Sequence, residues 1–161
     1  MPIDRRRLLH LSALTSLAGL IGCSSQESEA AQRFPLTLTD AQWKARLSPA
    51  QYAILRQDGT ERPYSSPLNR EKRRGVFACA GCTRPLFASA TKFESGTGWP
   101  SFYAPLKGAV VTRSDRTLMM TRTEVRCSRC GGHLGHVFDD GPPPTGKRYC
   151  MNGDAMTFAP V

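Results

Sequence analysis

The sequence predicts a mainly β domain with short helices at its N-terminal edge. Aromatic residues are only 8% of the chain, while Gly and Pro are frequent, 14 and 12 among 161 residues. That balance favours short strands and turns over long helices. Beyond the N-terminal segment, helical patterning is confined to two stretches before Gly59. From Gly75 onward, strand-like runs alternate with turn clusters,. The length and 40% hydrophobic content give one domain with a modest core, plus a tail, and no internal repeat is present,.

The elements follow in order. Arg5, Arg6 and Arg7 precede the apolar run "LLHLSALTSLAGLIG". A basic region ahead of an apolar one predicts an export signal over 1–22, and the run is too short and too hydroxyl-rich for a spanning helix. "DRRRLLHLS" resembles a twin-arginine signal and "LIGC" a bacterial lipobox, which would make Cys23 the acylated residue,. An ordinary secretory signal with a chance cysteine is the alternative. The polar, small residues of 23–36 read as a flexible tether, and 37–161 as the folded domain,. "LTDAQWKARL" offers Thr39 or Asp40 as N-cap. "LSPAQYAILRQDG" offers Ser48 as N-cap, Pro49 at the first helical position and Gly59 as stop,. Trp43, Leu47, Tyr52 and Leu55 then face the core. "GAVVTRS" and "TLMMTRTEVRC" read as strands, the second alternating from Thr121 to Cys127. "RYCMN" and "AMTFAP" read as two more, joined at Gly153-Asp154. "SGTGWPSFYAP" and "DDGPPPTGK" read as loops.

The formal charge of +9 suggests anionic partners, but three of the arginines belong to the signal. For an exported domain a solvated basic surface is the simpler reading. Of six cysteines, Cys79 and Cys82 form "CAGC", and Cys127 and Cys130 form "CSRC". Two such knuckles suit tetrahedral thiolate ligation of one structural zinc. Iron would use the same ligands, and two disulfides are allowed in an oxidising compartment. Covalent haem is excluded, because Thr83 and Gly131 stand where a histidine is needed. Cys150, in "KRYCMNGD", is left over. A free thiol is commonly a small buried hydrophobe. Here it lies downstream of His133 and His136, three apart, and a cysteine with histidines elsewhere in the chain is equally a nucleophile candidate,.

At this point five segments act together: "LSPAQYAILRQDGTERPYSSPL", "GVFACAGCTRPLF", "KFESGTGWPSFY", "EVRCSRCGGHLGHVFDDGP" and "RYCMNGDAMTF". In this order they resemble the B-type peptide-methionine sulfoxide reductases, the R-epimer-specific enzymes, over about residues 47–159. The resemblance implies two antiparallel β-sheets with short peripheral helices. It implies Cys150 as nucleophile, Cys79, Cys82, Cys127 and Cys130 as ligands of one structural Zn²⁺, and His133, His136 and Asn152 around the sulfoxide oxygen. Trp99 matches the wall against the substrate methyl, and Phe102, Phe138 and Arg148 match with less defined roles. The residue types suit the chemistry. A sulfoxide sulfur is electrophilic only when its oxygen is hydrogen-bonded, so a thiolate must attack while an acid holds the oxygen and an apolar wall holds the methyl.

One position departs. Where many relatives carry a cysteine that resolves the oxidised nucleophile, this chain has Thr97. The expectation is therefore a Cys150 sulfenic acid recycled by an external thioredoxin-like thiol. The substrates are oxidised proteins or peptides, in an envelope or periplasmic setting, on a lipid anchor at Cys23, with no nucleic acid partner. The competing reading is a zinc-ribbon-like module binding nucleic acid or an anionic membrane. It leaves Cys150, the spacing of His133 and His136, and the Trp99 loop unused.

Overall fold

The computed structural model describes residues 33–117 and 120–161, and they belong to a compact unit spanning Gln32–Val161. The expected signal, Cys23 and most of the tether lie outside the described residues. Among those described, no helix is long and apolar enough to cross a membrane.

The two helices form where their caps predict. Thr39 caps α1 (Asp40–Arg46) and Ser48 caps α2 (Pro49–Gln57), each in a reciprocal box with a glutamine three residues on,. Pro49 opens α2, and Asp58 closes it in the left-handed conformation one residue before the expected Gly59,. Trp43, Leu47, Ile54 and Leu55 are buried, and Tyr52 is half-buried. Leu55 is 1% exposed, so its burial contributes about 2 kcal/mol,. Phe34 and Leu36, at the end of the expected tether, lie against the domain: Leu36 N–H donates to the Arg129 carbonyl at 2.9 Å, and Leu36 packs on the core.

Among the described residues, nine strands make two antiparallel sheets. The smaller has the order β2 (Pro85–Ala88), β1 (Gly75–Cys79), β9 (Met156–Pro160). The larger runs β3 (Lys92–Phe93), β4 (Ser101–Phe102), β8 (Arg148–Met151), β7 (His133–Phe138), β6 (Arg122–Cys127), β5 (Val110–Asp115). Phe102 of the larger sheet stacks on Phe87 at 4.3 Å and meets Phe77 edge-on at 4.9 Å, and all three are fully buried. These rings join the sheets, each pair adding about 1 kcal/mol beyond its area.

Two strand readings change in detail. Gly153-Asp154 does join the last two strands, but not as a hairpin: a 3-10 turn over Gly153–Ala155 carries the chain from one sheet to the other. The alternation from Thr121 to Cys127 separates two faces, but the face of Arg122, Glu124 and Arg126 is not a solvent face. Glu124 is 2% exposed.

Candidate active site

Strand register assembles the site. Residues directly opposite on antiparallel strands share a face. Ser101 pairs with Cys150, Cys150 with His136, His136 with Glu124, and Glu124 with Arg113. One polar row therefore crosses five strands. Two residues along, Arg148, Phe138, Arg122 and Asp115 form a second row on the same face, with Arg148 opposite Phe138 and Arg122 opposite Asp115. Gly135 permits the close approach of β7 to β8. Its φ is 153°, and any Cβ there would collide with the Cys150 carbonyl,.

The rows open into a small cavity of about 130 Å³, lined by Thr60, Trp99, Arg122, Gly135, His136, Phe138, Cys150 and Asn152. Of the residues expected at the site, Trp99, His136, Phe138, Cys150 and Asn152 line it. Trp99 is fixed by its indole N–H, which donates to the Glu61 carbonyl at 3.1 Å. Asn152 is held at both ends of its amide: Oδ1 accepts from Glu61 N–H at 3.0 Å, and Nδ2 donates to the Leu134 carbonyl at 3.2 Å. His133 lies behind the cavity wall. It is 2% exposed, its ring is 5.4 Å from that of His136, and its Nδ1 is 2.7 Å from Glu124. Arg148 stacks 4.4 Å over Phe138 and makes a two-pronged bond to Asp140 at 2.9 and 2.8 Å. Phe102 does not reach the cavity, because it points from β4 into the inter-sheet core.

The electrostatics follow from these contacts. Burial pushes the Cys150 thiol up, and the Thr97 hydroxyl, Arg148 and the Ser101 hydroxyl pull it back only partly. Burial holds His136 below the usual imidazole range despite its 2.8 Å bond to Asp115, so the ring is neutral near pH 7. Asp115 is held well below the carboxylate range by the backbone N–H and hydroxyl of Thr117 and by His136. Burial opposes Glu124 ionisation, but bonds from His133 and Arg113 and the charge of Arg126 outweigh it. Each imidazole thus has a carboxylate on one nitrogen. For His136 this leaves Nδ1 as the atom that can exchange a proton with an occupant.

Asp115, Arg122, Glu124, Thr60 and Glu61 escaped the sequence reading. Only the spacing of Arg122 and Glu124 hinted that one face of β6 carries chemistry. The others reach the site through register or a loop remote in sequence.

The second cysteine cluster lies at the other end of the sheets. Cys79, Cys82, Cys127 and Cys130 are buried, and their sulfurs all lie within 4.8 Å of one another. Cys79 and Cys130 are 3.7 Å apart, and Cys82 and Cys127 3.5 Å. Four sulfurs ~2.3 Å from one tetrahedral ion stand about 3.8 Å apart, so the donor set fits a metal such as zinc. The knuckles are alike. In each, the fourth residue after the first cysteine is left-handed and donates its N–H to that cysteine's carbonyl: Thr83 to Cys79 at 2.8 Å, and Gly131 to Cys127 at 2.9 Å. Gly131 also makes room for the Phe34 ring, which would collide with any Cβ there. A further group, Asp58, Glu124 and His133, could in principle hold an ion, but Arg113 and Arg126 already pair with its carboxylates.

Comparison with known proteins points one way. The model of the SelR domain matches residues 47–160. The Agrobacterium fabrum protein named peptide methionine sulfoxide reductase MsrB is 56% identical over 124 residues, covering 76% of this chain and 92% of its own length. Proteins of the same name from Thiobacillus denitrificans and Pseudomonas savastanoi pv. phaseolicola are 57% and 56% identical. They cover 76% and 78% of this chain, and 93% and 96% of their own lengths.

Proposed function

The chain belongs to the SelR-domain family and is an enzyme of the peptide-methionine (R)-S-oxide reductase class, and from that premise we propose that Cys150 reduces methionine-R-sulfoxide in proteins and peptides. The observation that carries the reading is the placement of Cys150 directly opposite His136 on the wall of a cavity whose apolar sides are Trp99 and Phe138.

The Cys150 thiolate attacks the sulfoxide sulfur from β8. The oxygen lies toward His136, which supplies a proton from Nδ1 while Asp115 holds Nε2. The methyl rests on Trp99, whose indole N–H is already committed to Glu61 and does not compete for the oxygen. The attack forms a bond between the two sulfurs as the protonated oxygen departs as water. A water then attacks the Cys150 sulfur and returns one proton, the sulfur–sulfur bond breaks, the substrate leaves as the thioether two electrons richer, and Cys150 is left as a sulfenic acid. Fixing nucleophile, oxygen and methyl in three directions selects one epimer. Among the described residues no second thiol stands near Cys150, and Thr97 occupies the adjacent place. An external thioredoxin-like dithiol therefore attacks the sulfenic sulfur, releases water, and leaves as its own disulfide. Cys79, Cys82, Cys127 and Cys130 would hold one structural Zn²⁺, whose binding would stabilise the fold. The N-terminal segment directs export to the cell envelope, with lipidation at Cys23 as the anchor.

Dithiothreitol-driven turnover of resolved epimers tests this. The R epimer is reduced and the S epimer is not. One equivalent of R-sulfoxide leaves a dimedone-reactive Cys150 and no intrachain disulfide on peptide mapping. Equal turnover of both epimers, or a disulfide from Cys150 to Cys79, Cys82, Cys127 or Cys130, would overturn it.

A further inference from the structure

Beyond Cys150 the first polar row runs into three hydroxyls. Thr97 Oγ1 lies 3.8 Å from Cys150 Sγ and 2.8 Å from Ser95 Oγ. Ser95 Oγ is 2.7 Å from Ser101 Oγ, and Ser101 donates to the Trp99 carbonyl at 3.1 Å. Each hydroxyl has one proton to give, which makes the series directional. With the Ser101 proton on the carbonyl, Ser101 must accept from Ser95, Ser95 from Thr97, and Thr97 from the Cys150 thiol. That direction suits the protonated nucleophile. A thiolate has no proton to give. Thr97 must then donate to it and Ser95 to Thr97, while Ser101 turns from the carbonyl to Ser95 or to the sulfur itself. Ser95 is suited to either direction, since Thr97 N–H also reaches it at 3.4 Å.

We infer that Thr97, Ser95 and Ser101 form a hydroxyl wire whose direction reverses when Cys150 ionises. Thr97 acts on the reacting sulfur, and Ser95 is a positioning residue acting through Thr97. The wire uses the place where a resolving cysteine would stand in a two-thiol site. It settles the thiolate by a charge-assisted bond, at the cost of the Trp99 carbonyl contact at the far end. The charged and titratable groups facing Cys150 are Arg148 from its own strand, His136 from β7 with Asp115 behind it, and Arg122 from β6, with Asp140 pairing Arg148. On the loop that carries Ser95, the neighbouring carboxylate Glu94 is exposed and paired with Lys92. None of these changes when a hydroxyl is deleted from the wire.

The inference rests on Cys150 as the nucleophile, and its test reads the thiolate without turnover: the pH profile of Cys150 alkylation by iodoacetamide, mapped by peptide mass. Thr97→Val keeps the shape and removes the donor. It slows alkylation at pH 7 about three- to tenfold and moves the midpoint to higher pH. Thr97→Ser restores the native profile. Ser95→Ala moves the profile the other way, because the Thr97 proton then has no acceptor but the sulfur. Unchanged metal content and melting temperature confirm that each variant is folded. An unaltered profile in Thr97→Val, or a shift of the same sign in Thr97→Val and Ser95→Ala, overturns the wire. Absence of sulfoxide turnover alongside the expected alkylation profiles would instead sink the functional reading and leave the wire standing.

Discussion

The two cysteine sites are built on opposite plans. At the knuckles, four thiols sit in turns, their backbones closed by local bonds from Thr83 and Gly131, and each sulfur's partners are other sulfurs. At the cavity, one thiol sits mid-strand and is surrounded by side chains delivered from three other strands and from loops. The crowded thiols share charge, with Cys79 pushed up mainly by the bond it donates to Cys127, and Cys127 pulled down mainly by the bond it accepts from Cys130. A cation can neutralise such a cluster. Cys150 has hydroxyls, a guanidinium and an imidazole instead, and keeps an open side. The difference suits the two roles proposed: sulfurs that would hold a metal are enclosed by their equals, and the proposed nucleophile is left partly exposed among polar groups.

The largest expected effect tests that separation directly. Cys150→Ser lowers kcat for R-sulfoxide by about 10⁴-fold or more, the scale seen when a nucleophile is removed. It leaves metal content and melting temperature near native. Substantial activity in this variant would mean the reacting sulfur is elsewhere. Cys127→Ser should do the converse. It breaks the metal site and costs more than about 4 kcal/mol of stability, read by denaturant unfolding with elemental analysis alongside. Full stability without metal, with two disulfides found by mass spectrometry, would show that the knuckles are cross-linked rather than metallated.

The same contrast explains what was legible in the sequence. The knuckles announce themselves because their geometry is local: CxxC fixes the turn, and only the pairing of the two is remote. The helices were legible for the same reason, since Thr39, Ser48 and Pro49 act within one turn. Cys150 and His136 entered as a leftover thiol with histidines elsewhere in the chain, open until motif resemblance gave them roles, and Trp99 entered through that resemblance alone. Asp115 and Glu124 could not be found that way, because their roles depend on β5–β6 and β6–β7 register, and carboxylates between arginines read as surface charge. Phe102 shows the reverse error of scale. It sits in the same motif as Trp99, but strand alternation turns it to the other face, where it joins the core.

A third, intermediate effect concerns Asp115. In the proposed mechanism the reactive pair is a Cys150 thiolate with an imidazolium His136. Burial pushes the thiol up and the imidazole down, so this ion pair is a minor form. Its population rises until His136 loses its proton, stays level between the two pKa values, and falls once Cys150 has ionised. kcat/KM should therefore be bell-shaped, with the acid limb set by the imidazole. Asp115→Asn removes the charge that favours imidazolium. The plateau drops by about 10- to 100-fold and the acid limb moves to lower pH. A lower plateau with an unmoved acid limb would make Asp115 structural.

The smallest effect lies where the cavity meets its supporting loop. The Glu61 carboxylate accepts the N–H groups of Gly153 at 2.7 Å and Asp154 at 2.8 Å, just past Cys150 and Asn152, while its carbonyl holds Trp99. Burial raises its pKa despite those two bonds. The sign is then fixed. The folded state binds the proton more tightly, so this contribution to stability is full below the ordinary value of 4.5 and is lost as pH rises through the higher folded value,. Glu61→Gln keeps the shape and removes the titration. The stability difference between wild type and Glu61→Gln, measured by urea unfolding from pH 4 upward, should move against the wild type as pH rises and level off above the folded pKa. A constant difference would mean that the two backbone bonds cancel the effect of burial, and a difference that moves in favour of the wild type as pH rises would mean that they outweigh it. In every case KM should rise only a few-fold, because the carbonyl that anchors Trp99 is retained.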